Sequence, residues 1–521
     1  MSFLRKHSPF LVAAVVLCML VCLMFPYCRY YVDPDATAYL TIARRYAKDY
    51  GVYAVNGYWS PLSCWLTALG IDAGMEAIRA AIVVNTLGAL GFLLVSHSLF
   101  RRFGLKALAQ WLFCMAMTLF LAYAVYAQLF ADLWECFLLL AGLRILLTKR
   151  FLQLPGLWVV YGIIGALAYF AKAYAFPFFL LNTAVGVFFL TDKNKKQWLK
   201  ICVVSVVVLL VCASPWLWLL HERYGHWMTS TAGSLNMSWY LEGHAHYKKQ
   251  FGCLLPPPYE DAVYHWEDPC LVAGETPHFW TSPHYFLLQC ARVVQNFLKM
   301  AGSMSALSLF FFPLWIAVLV TFCIRKRRQQ LPRDLRLLIL FFLLFPLAFL
   351  LINFEPRYIW CLLPPGMILG HFALQQMKRK QVLAMVLFAL SFVMWPLLDI
   401  GSVWNVGREE YELAQQLKAH GITGSFTANT ENNKDIQRMV RLAYFSGNRC
   451  YVAPVAGCKW QDLLQEIREY DIKYYFVEGK PGAPVVDGNG RPFEVVFAAG
   501  DLKVYYIKPV IYTLAGPVGD R

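Results

Sequence analysis

Three groups of ionisable residues stand at the ends of long apolar runs, where a charge needs a chemical or structural reason. The first is Asp33 and Asp35, in Tyr31-Val32-Asp33-Pro34-Asp35-Ala36-Thr37-Ala38-Tyr39. The second is Asp132 and Glu135, in Gln128-Leu129-Phe130-Ala131-Asp132-Leu133-Trp134-Glu135, three residues apart and so on one face of a helix. The third is Glu355 with Arg357, in Asn353-Phe354-Glu355-Pro356-Arg357-Tyr358. Lys172, in Tyr169-Phe170-Ala171-Lys172-Ala173-Tyr174, is a further isolated cation. Carboxylates can take a proton from a hydroxyl acceptor, and cations can hold a phosphate leaving group. Together they suit group transfer from a lipid-linked phosphate, whose tail stays in the bilayer while its head group reaches a site built at helix ends.

Each group also has a structural reading. Asp33 and Asp35 precede a helical pattern and can serve as N-caps, and Asp132 can do the same. Glu355 and Arg357 can pair locally while Lys172 snorkels to the interface. The segment after Asp35 repeats Tyr39, Ile42, Ala43 and Tyr46 at three- and four-residue spacing, which predicts an amphipathic helix lying in the membrane interface.

The elements that position these residues are membrane spans. Hydrophobic residues make up 59% of the 521 residues and charged residues only 15%, with a mean hydropathy of +0.48, so a bilayer must be the solvent. Apolar runs near 9–28, 76–100, 107–126, 128–147, 155–171, 173–190, 199–220, 303–324, 335–353, 356–374 and 382–399 predict about eleven spans. The run from Pro9 follows Arg5-Lys6 without a small-residue cleavage site and reads as an anchored helix. Basic clusters fall at every second connection: Arg5-Lys6, Arg101-Arg102 with Lys106, Lys149-Arg150, Lys193 through Lys200, Arg325 through Arg336, and Lys378-Arg379-Lys380. All six put the N-terminus in the cytoplasm and the C-terminus outside; the expected location is a bacterial inner (cell) membrane.

That orientation assigns outer loops 29–75 and 221–302 to a transmembrane domain spanning 1–400, followed by a small extracytoplasmic α/β domain over 401–521. A helix over Glu409 to Ala419 ended by His420-Gly421, a strand over Tyr474 to Val477, and a turn at Asp487-Gly488-Asn489-Gly490 are expected there. The charge of +15 is spent on loops between spans, so nucleic-acid binding is excluded as a function class. Of the 15 cysteines, Cys253, Cys270, Cys450 and Cys458 lie outside the spans, and Cys450–Cys458 is a candidate disulfide. His226, His244, His246, His265, His278 and His284 match no simple zinc spacing, so no metal ligand is assigned. Trp227, Trp239, Tyr240, Trp266 and Trp280 can stack on sugars or anchor at the interface.

With these residues in view, the chain resembles the GT-C superfamily of integral-membrane glycosyltransferases, in particular the protein O-mannosyltransferase and aminoarabinose transferase branch (family 39-like). Asp35-Ala36-Thr37-Ala38-Tyr39 followed by Asn56-Gly57-Tyr58-Trp59-Ser60-Pro61-Leu62 carries the likeness. The Asp132 segment, Lys172, and Arg357-Tyr358 followed by Pro364-Pro365 are similar as well. The aminoarabinose branch has basic residues where this chain has Ser60 and Ala38. The resemblance implies inverting transfer of a sugar from a polyprenyl-phosphate donor to an acceptor hydroxyl of a lipid, glycan or protein on the non-cytoplasmic face. It implies Asp35 as base with Asp33 beside it, and Asp132 with Glu135 as a second acidic group. Lys172, Arg357, Tyr358 and Tyr39 would bind the donor phosphate. No cofactor is called for, and a divalent metal is left open. The rival reading is a polytopic lipid or glycan transporter or flippase without glycosyl transfer. Charges clustered at helix ends rather than at mid-span favour the transferase.

Overall fold

Apolar runs of this length fold as helices because no water is present to satisfy a free backbone, and the computed structural model is mostly helical. It describes residues 2–192, 194–275, 277–375, 377, 380–430, 432–453, 458–479 and 485–507; of the basic clusters, Lys193, Lys378 and Arg379 lie outside these. The chain is an integral, multi-pass membrane protein. Among the described residues, five helices are long and apolar enough to cross a bilayer: His7–Cys28, Ala77–Arg102, Ala107–Ala127, Lys195–Tyr224 and Gln381–Ser402. Every expected run lies on helix, but several are short or broken. The runs 128–147, 155–171 and 173–190 are the helices Asp132–Leu146, Pro155–Ala171 and Ala175–Leu190. The run 303–324 is not one straight span: helices Pro283–Leu307 and Phe311–Cys323 meet at 118°. The run 356–374 opens as a 3-10 helix, Pro356–Leu362, before Leu363–Gln375.

The chain forms two compact units. The first comprises 1–31, 42–246 and 275–406. Its helices approach closely where one of them carries glycine. A Cβ on Gly88 would lie 3.1 Å from Trp134 and one on Gly91 2.9 Å from Phe137, so helix Ala77–Arg102 seats these two rings of helix Asp132–Leu146. Trp134 Nε1 also donates to Val84 O at 3.0 Å.

The second unit comprises 32–41, 247–274 and 407–521. Its five-stranded sheet has the strands β1 Ser425–Ala428, β2 Arg449–Tyr451, β3 Tyr474–Glu478, β4 Glu494–Ala499 and β5 Leu502–Tyr506, in the order β2-β1-β3-β5-β4. Strand β1 pairs in parallel with β2 and β3, across helices Asn433–Ser446 and Trp460–Glu469, and β5 runs antiparallel to β3 and β4. The expected helix is Arg408–Ala419, closed by Gly421 in the left-handed region (φ 70°). The expected turn forms too: Asp487 Oδ1 accepts the amides of Asn489 and Arg491, each at 2.8 Å.

The segment 247–274, read from the sequence as part of an outer loop, is bonded into this sheet unit. Leu255 N donates to Val452 O at 2.8 Å, Cys450 N to Val263 O at 2.7 Å, and Glu466 accepts the amides of Cys253 and Leu254 at 2.6 and 2.8 Å. Cys458 is disulfide-bonded to Cys253, with Cα atoms 5.8 Å apart, and not to Cys450, which is a buried free thiol pushed up to about 12 by burial. Spacing favoured the near neighbour, while the fold brings Cys253 from 205 residues away.

The helix expected after Asp33 is present as Pro34–Ala47, but it is not a surface helix. Thr37, Ala38, Thr41, Ala43 and Arg45 are as buried as Tyr39 and Ile42, and Thr41 Oγ1 donates back to Thr37 O at 2.8 Å. Burial on all sides makes it an interior element.

Two measurements follow. Peptide mapping without reductant gives a linked Cys253–Cys458 pair, with Cys450 alkylated only after unfolding. Replacing Cys253 by Ser removes about 2–5 kcal/mol of stability, whereas replacing Cys450 by Ala leaves the bridge in place. His265 is buried with an unpartnered Nδ1, and burial holds its imidazole down at about 3 against an ordinary 6.5. Its neutral form is kept in the fold while the unfolded chain takes up a proton, so stability falls as the pH drops from about 6.5 towards 3, and H265Q flattens that fall in melts across pH.

Candidate active site

Within the first unit, three turns deliver the ionisable residues to one place. Helix Ala107–Ala127 ends at Gln128, whose backbone is extended, and Asn85 Nδ2 fixes the turn by donating to Val125 O at 3.1 Å and Gln128 O at 2.5 Å. Helix Asp132–Leu146 then starts, with Asp132 and Glu135 in its first turn, where the backbone dipole favours carboxylates. Helix Pro155–Ala171 stops at Lys172, which is extended (φ −154°), and the following amide, Ala173 N, donates to Ser60 Oγ at 3.0 Å. Ser60, where the aminoarabinose branch has a basic residue, thus fixes the lysine's turn. Its own segment is braced by Asn56 Oδ1, which accepts the amides of Tyr58 and Trp59 at 2.9 Å each. Glu355 precedes the 3-10 helix Pro356–Leu362, which carries Arg357 and Tyr358.

Lys172 Nζ lies 2.5 Å from Asp132 Oδ1 and 3.5 Å from Glu135 Oε2, and 4.2 Å from the centre of the Tyr358 ring. Arg357 Nη2 pairs with Glu355 Oε2 at 2.8 Å, its Nη1 donates to Gln128 Oε1, and its Nε is 4.0 Å from Asp132 Oδ2. The guanidinium covers the Phe130 ring at 4.9 Å. Tyr358 OH donates to Glu355 Oε1 at 3.3 Å, and its ring stacks on Phe349 at 4.4 Å. The Asp132 and Glu135 side chains are 2% exposed, those of Lys172 and Arg357 19% and 12%, and that of Glu355 36%. Glu135 Oε1 is buried with no hydrogen-bond partner among the described residues.

The structural readings divide accordingly. Lys172 does not snorkel, since it is held by two buried carboxylates, and the carboxylate of Asp132 goes to Lys172 while the N-cap position belongs to Ala131. The local Glu355–Arg357 pair does form. Asp132, Glu135, Lys172, Arg357 and Tyr358 are together; Asp33, Asp35 and Tyr39 belong to the second unit. There Asp33 is a cap, its Oδ1 accepting Ala36 N at 2.7 Å. Asp35 is half-buried in the first helical turn. The backbone of that turn is held from two sides: Arg441 Nε donates to Val32 O at 3.0 Å and Tyr264 OH to Pro34 O at 2.6 Å. Arg441 is itself paired with Glu410 at 2.7 Å, both buried. Sequence reasoning did not assign roles to Gln128, Ser60 or Asn85. The first two sit inside segments already singled out, and a polar residue inside an apolar run was the only signal for Asn85.

Removing one partner of a buried ion pair strands the other. Lys172→Met leaves Asp132 and Glu135 uncompensated and lowers stability by about 3–5 kcal/mol, read as a drop in the melting midpoint in detergent. The triple change K172M/D132N/E135Q recovers most of it.

No protein-family model and no curated protein matches this sequence. Solved structures do match by fold. ArnT from Cupriavidus metallidurans bound to undecaprenyl phosphate aligns over 98% of this chain and 99% of its own, at 15% identity and a TM-score of 0.57. The apo state of ArnT from the same organism aligns over 96% of this chain and 98% of its own, at 15% identity and a TM-score of 0.56. The chain shares the fold of these two structures along nearly its whole length.

Proposed function

We propose that this protein is a membrane glycosyltransferase that moves a sugar from a polyprenyl-phosphate donor to an acceptor hydroxyl on the non-cytoplasmic face. The observation that carries the reading is the burial of Lys172 and Arg357 among carboxylates at helix ends, in a fold shared with a protein solved with undecaprenyl phosphate bound. Cations buried at such places in a membrane protein answer an anion, and a lipid phosphate is the anion a bilayer delivers. The six basic loops support a cytoplasmic N-terminus, and the membrane we propose is a bacterial inner membrane. The 401–521 region would then be extracytoplasmic, where a disulfide persists.

In the proposed reaction the acceptor oxygen attacks the anomeric carbon as its proton passes to the carboxylate of Asp35. The bond from that carbon to the phosphate oxygen breaks, the electron pair leaves on the polyprenyl phosphate, and the configuration inverts. Lys172 and Arg357 stabilise the departing phosphate, with the Tyr358 ring beside both cations. Asp132 and Glu135 hold the two cations, and Glu135 Oε1 is an acceptor for a hydroxyl of the substrate.

Two cations face three carboxylates in the cluster, so a phosphate must take the place of one carboxylate. Glu355 is the exposed one, and its departure frees the fork of Arg357. Undecaprenyl phosphate titrated onto the protein in nanodiscs therefore binds E355Q more tightly than wild type and R357K about tenfold more weakly; equal affinities would remove Arg357 from the clamp. Cells lacking the protein lose a mass increment from a surface lipid, glycan or protein. Wild type restores it and D35N, expressed equally, does not. Restoration by D35N would favour the transporter reading.

A further inference from the structure

We infer that Glu242, His244 and His246 form a binding site for one divalent ion of the zinc class. The sequence offers only Glu-x-His-x-His, but the backbone gives that spacing a focus. Helix Ala232–Glu242 ends at its glutamate, and Gly243 turns the chain through the left-handed region (φ 88°) so that the two histidines fold back beside it. One ligand atom from each of the three side chains lies within 4.8 Å of the others, and the two imidazole rings are 4.6 Å apart. The first unit contains all three residues.

Two details point to a ligand rather than to a simple ion pair. His246 Nε2 is 2.9 Å from Glu242 Oε2, yet it is shielded from solvent and has no hydrogen-bond partner of proper geometry among the described residues. The ring nitrogen and the carboxylate approach without the geometry of a donor and an acceptor. On His244, Nδ1 is 3.3 Å from the Glu242 carbonyl oxygen, the contact that fixes the tautomer with Nε2 free for a metal. Beside the group is a cavity of about 440 Å³ lined by Glu242, His244, His284 and Arg292. His284, on the first turn of helix Pro283–Leu307, lines the same cavity. Two neutral imidazoles and a carboxylate suit zinc, whereas magnesium and calcium take oxygen ligands. Tetrahedral zinc needs donor atoms roughly 3.3 Å apart, a contraction open to side chains that are half-buried, as Glu242 and His246 are, or exposed, as His244 is.

The test uses the full-length protein in detergent, stripped with a chelator, reloaded with zinc and freed of excess, and reads no transfer activity, so its outcome is separate from that of the transferase reading. Elemental analysis is expected to give one zinc per chain, with X-ray absorption showing imidazole backscattering from two or three rings. H246Q and the double variant H244A/H246A lose the ion in competition with a chromogenic chelator, by a factor of about 100 or more, while H420A retains it. Wild-type protein that holds no zinc after reloading overturns the site. So does zinc without imidazole backscattering, or undiminished affinity in H244A/H246A. Because the first two readouts are made on the wild type, a variant that fails to fold does not rescue the proposal.

Discussion

An ammonium group buried among helix ends has no water to answer it, and the arrangement of the first unit depends on how Lys172 is answered. Its desolvation is offset only if anions stand at contact distance, so Asp132 and Glu135 must both be there, on one face of one helical turn. That demand fixes where helix Asp132–Leu146 begins, which face it turns inward, and how closely helix Ala77–Arg102 approaches it through Gly88 and Gly91. It also fixes the neighbouring turn, since Lys172 reaches its partners only from an extended backbone that Ser60 stabilises at the next amide. Arg357 then enters a site already carrying excess negative charge, which is the electrostatic reason for a cation in that connection.

Helix length explains why the site is polar at all. Helix Asp132–Leu146 has 15 residues, so it is roughly 22 Å long, short of the roughly 30 Å of hydrocarbon it stands in. Helices Pro155–Ala171 and Ala175–Leu190 are only slightly longer. Where such helices stop, backbone groups are left at a depth without water, and each must be satisfied by protein. Asn85 does this for the carbonyls of Val125 and Gln128, and Ser60 for the amide of Ala173. The 3-10 turn at Pro356 serves the same end by tightening the connection that carries Arg357 and Tyr358. Short helices, polar plugs and buried charges are one arrangement seen from three sides.

How much of this was legible in the sequence follows from the range of each interaction. Apolar runs are local, so all eleven could be placed, and the α/β character of the C-terminal stretch was readable from its helix stop at Gly421 and its turn at Asp487. Charges at run ends were legible because the membrane makes them costly, which is why Asp132, Glu135, Lys172 and Arg357 could be singled out before any contact was known. The corner at Ser308–Phe310 was not legible, since apolar residues continue on both sides and its one local signal, Pro313, lies inside the first turn of the helix beyond it. Nor was the partner of Cys458, because it depends on Leu255 pairing with Val452, a bridge between segments nearly two hundred residues apart that no local pattern encodes. The amphipathic face of helix Pro34–Ala47 was real but incomplete as evidence: an apolar stripe says that one side is covered, not that the other is free.

The second unit obeys the same rule as the first, with the roles of backbone and side chain exchanged. In the first, buried side-chain charges are satisfied by one another; in the second, a buried arginine is used to hold a backbone. Arg441 keeps one face of its guanidinium on Glu410, which neutralises it, and turns its Nε to Val32 O, while Tyr264 takes Pro34 O two residues on. Pro34 lacks an amide hydrogen, and the turn's local bonds all end on Asp33, whose carboxylate caps Ala36 N and whose carbonyl accepts from Thr37, which leaves the carbonyls of Val32 and Pro34 to partners from elsewhere in the unit. Its conformation is instead set by side chains more than two hundred and four hundred residues downstream, from the two segments that complete the unit. Held at Val32 O and Pro34 O, the backbone that leads into Asp35 keeps a fixed course. The C-terminal unit thus has a structural reason to exist before any binding role is assigned to it.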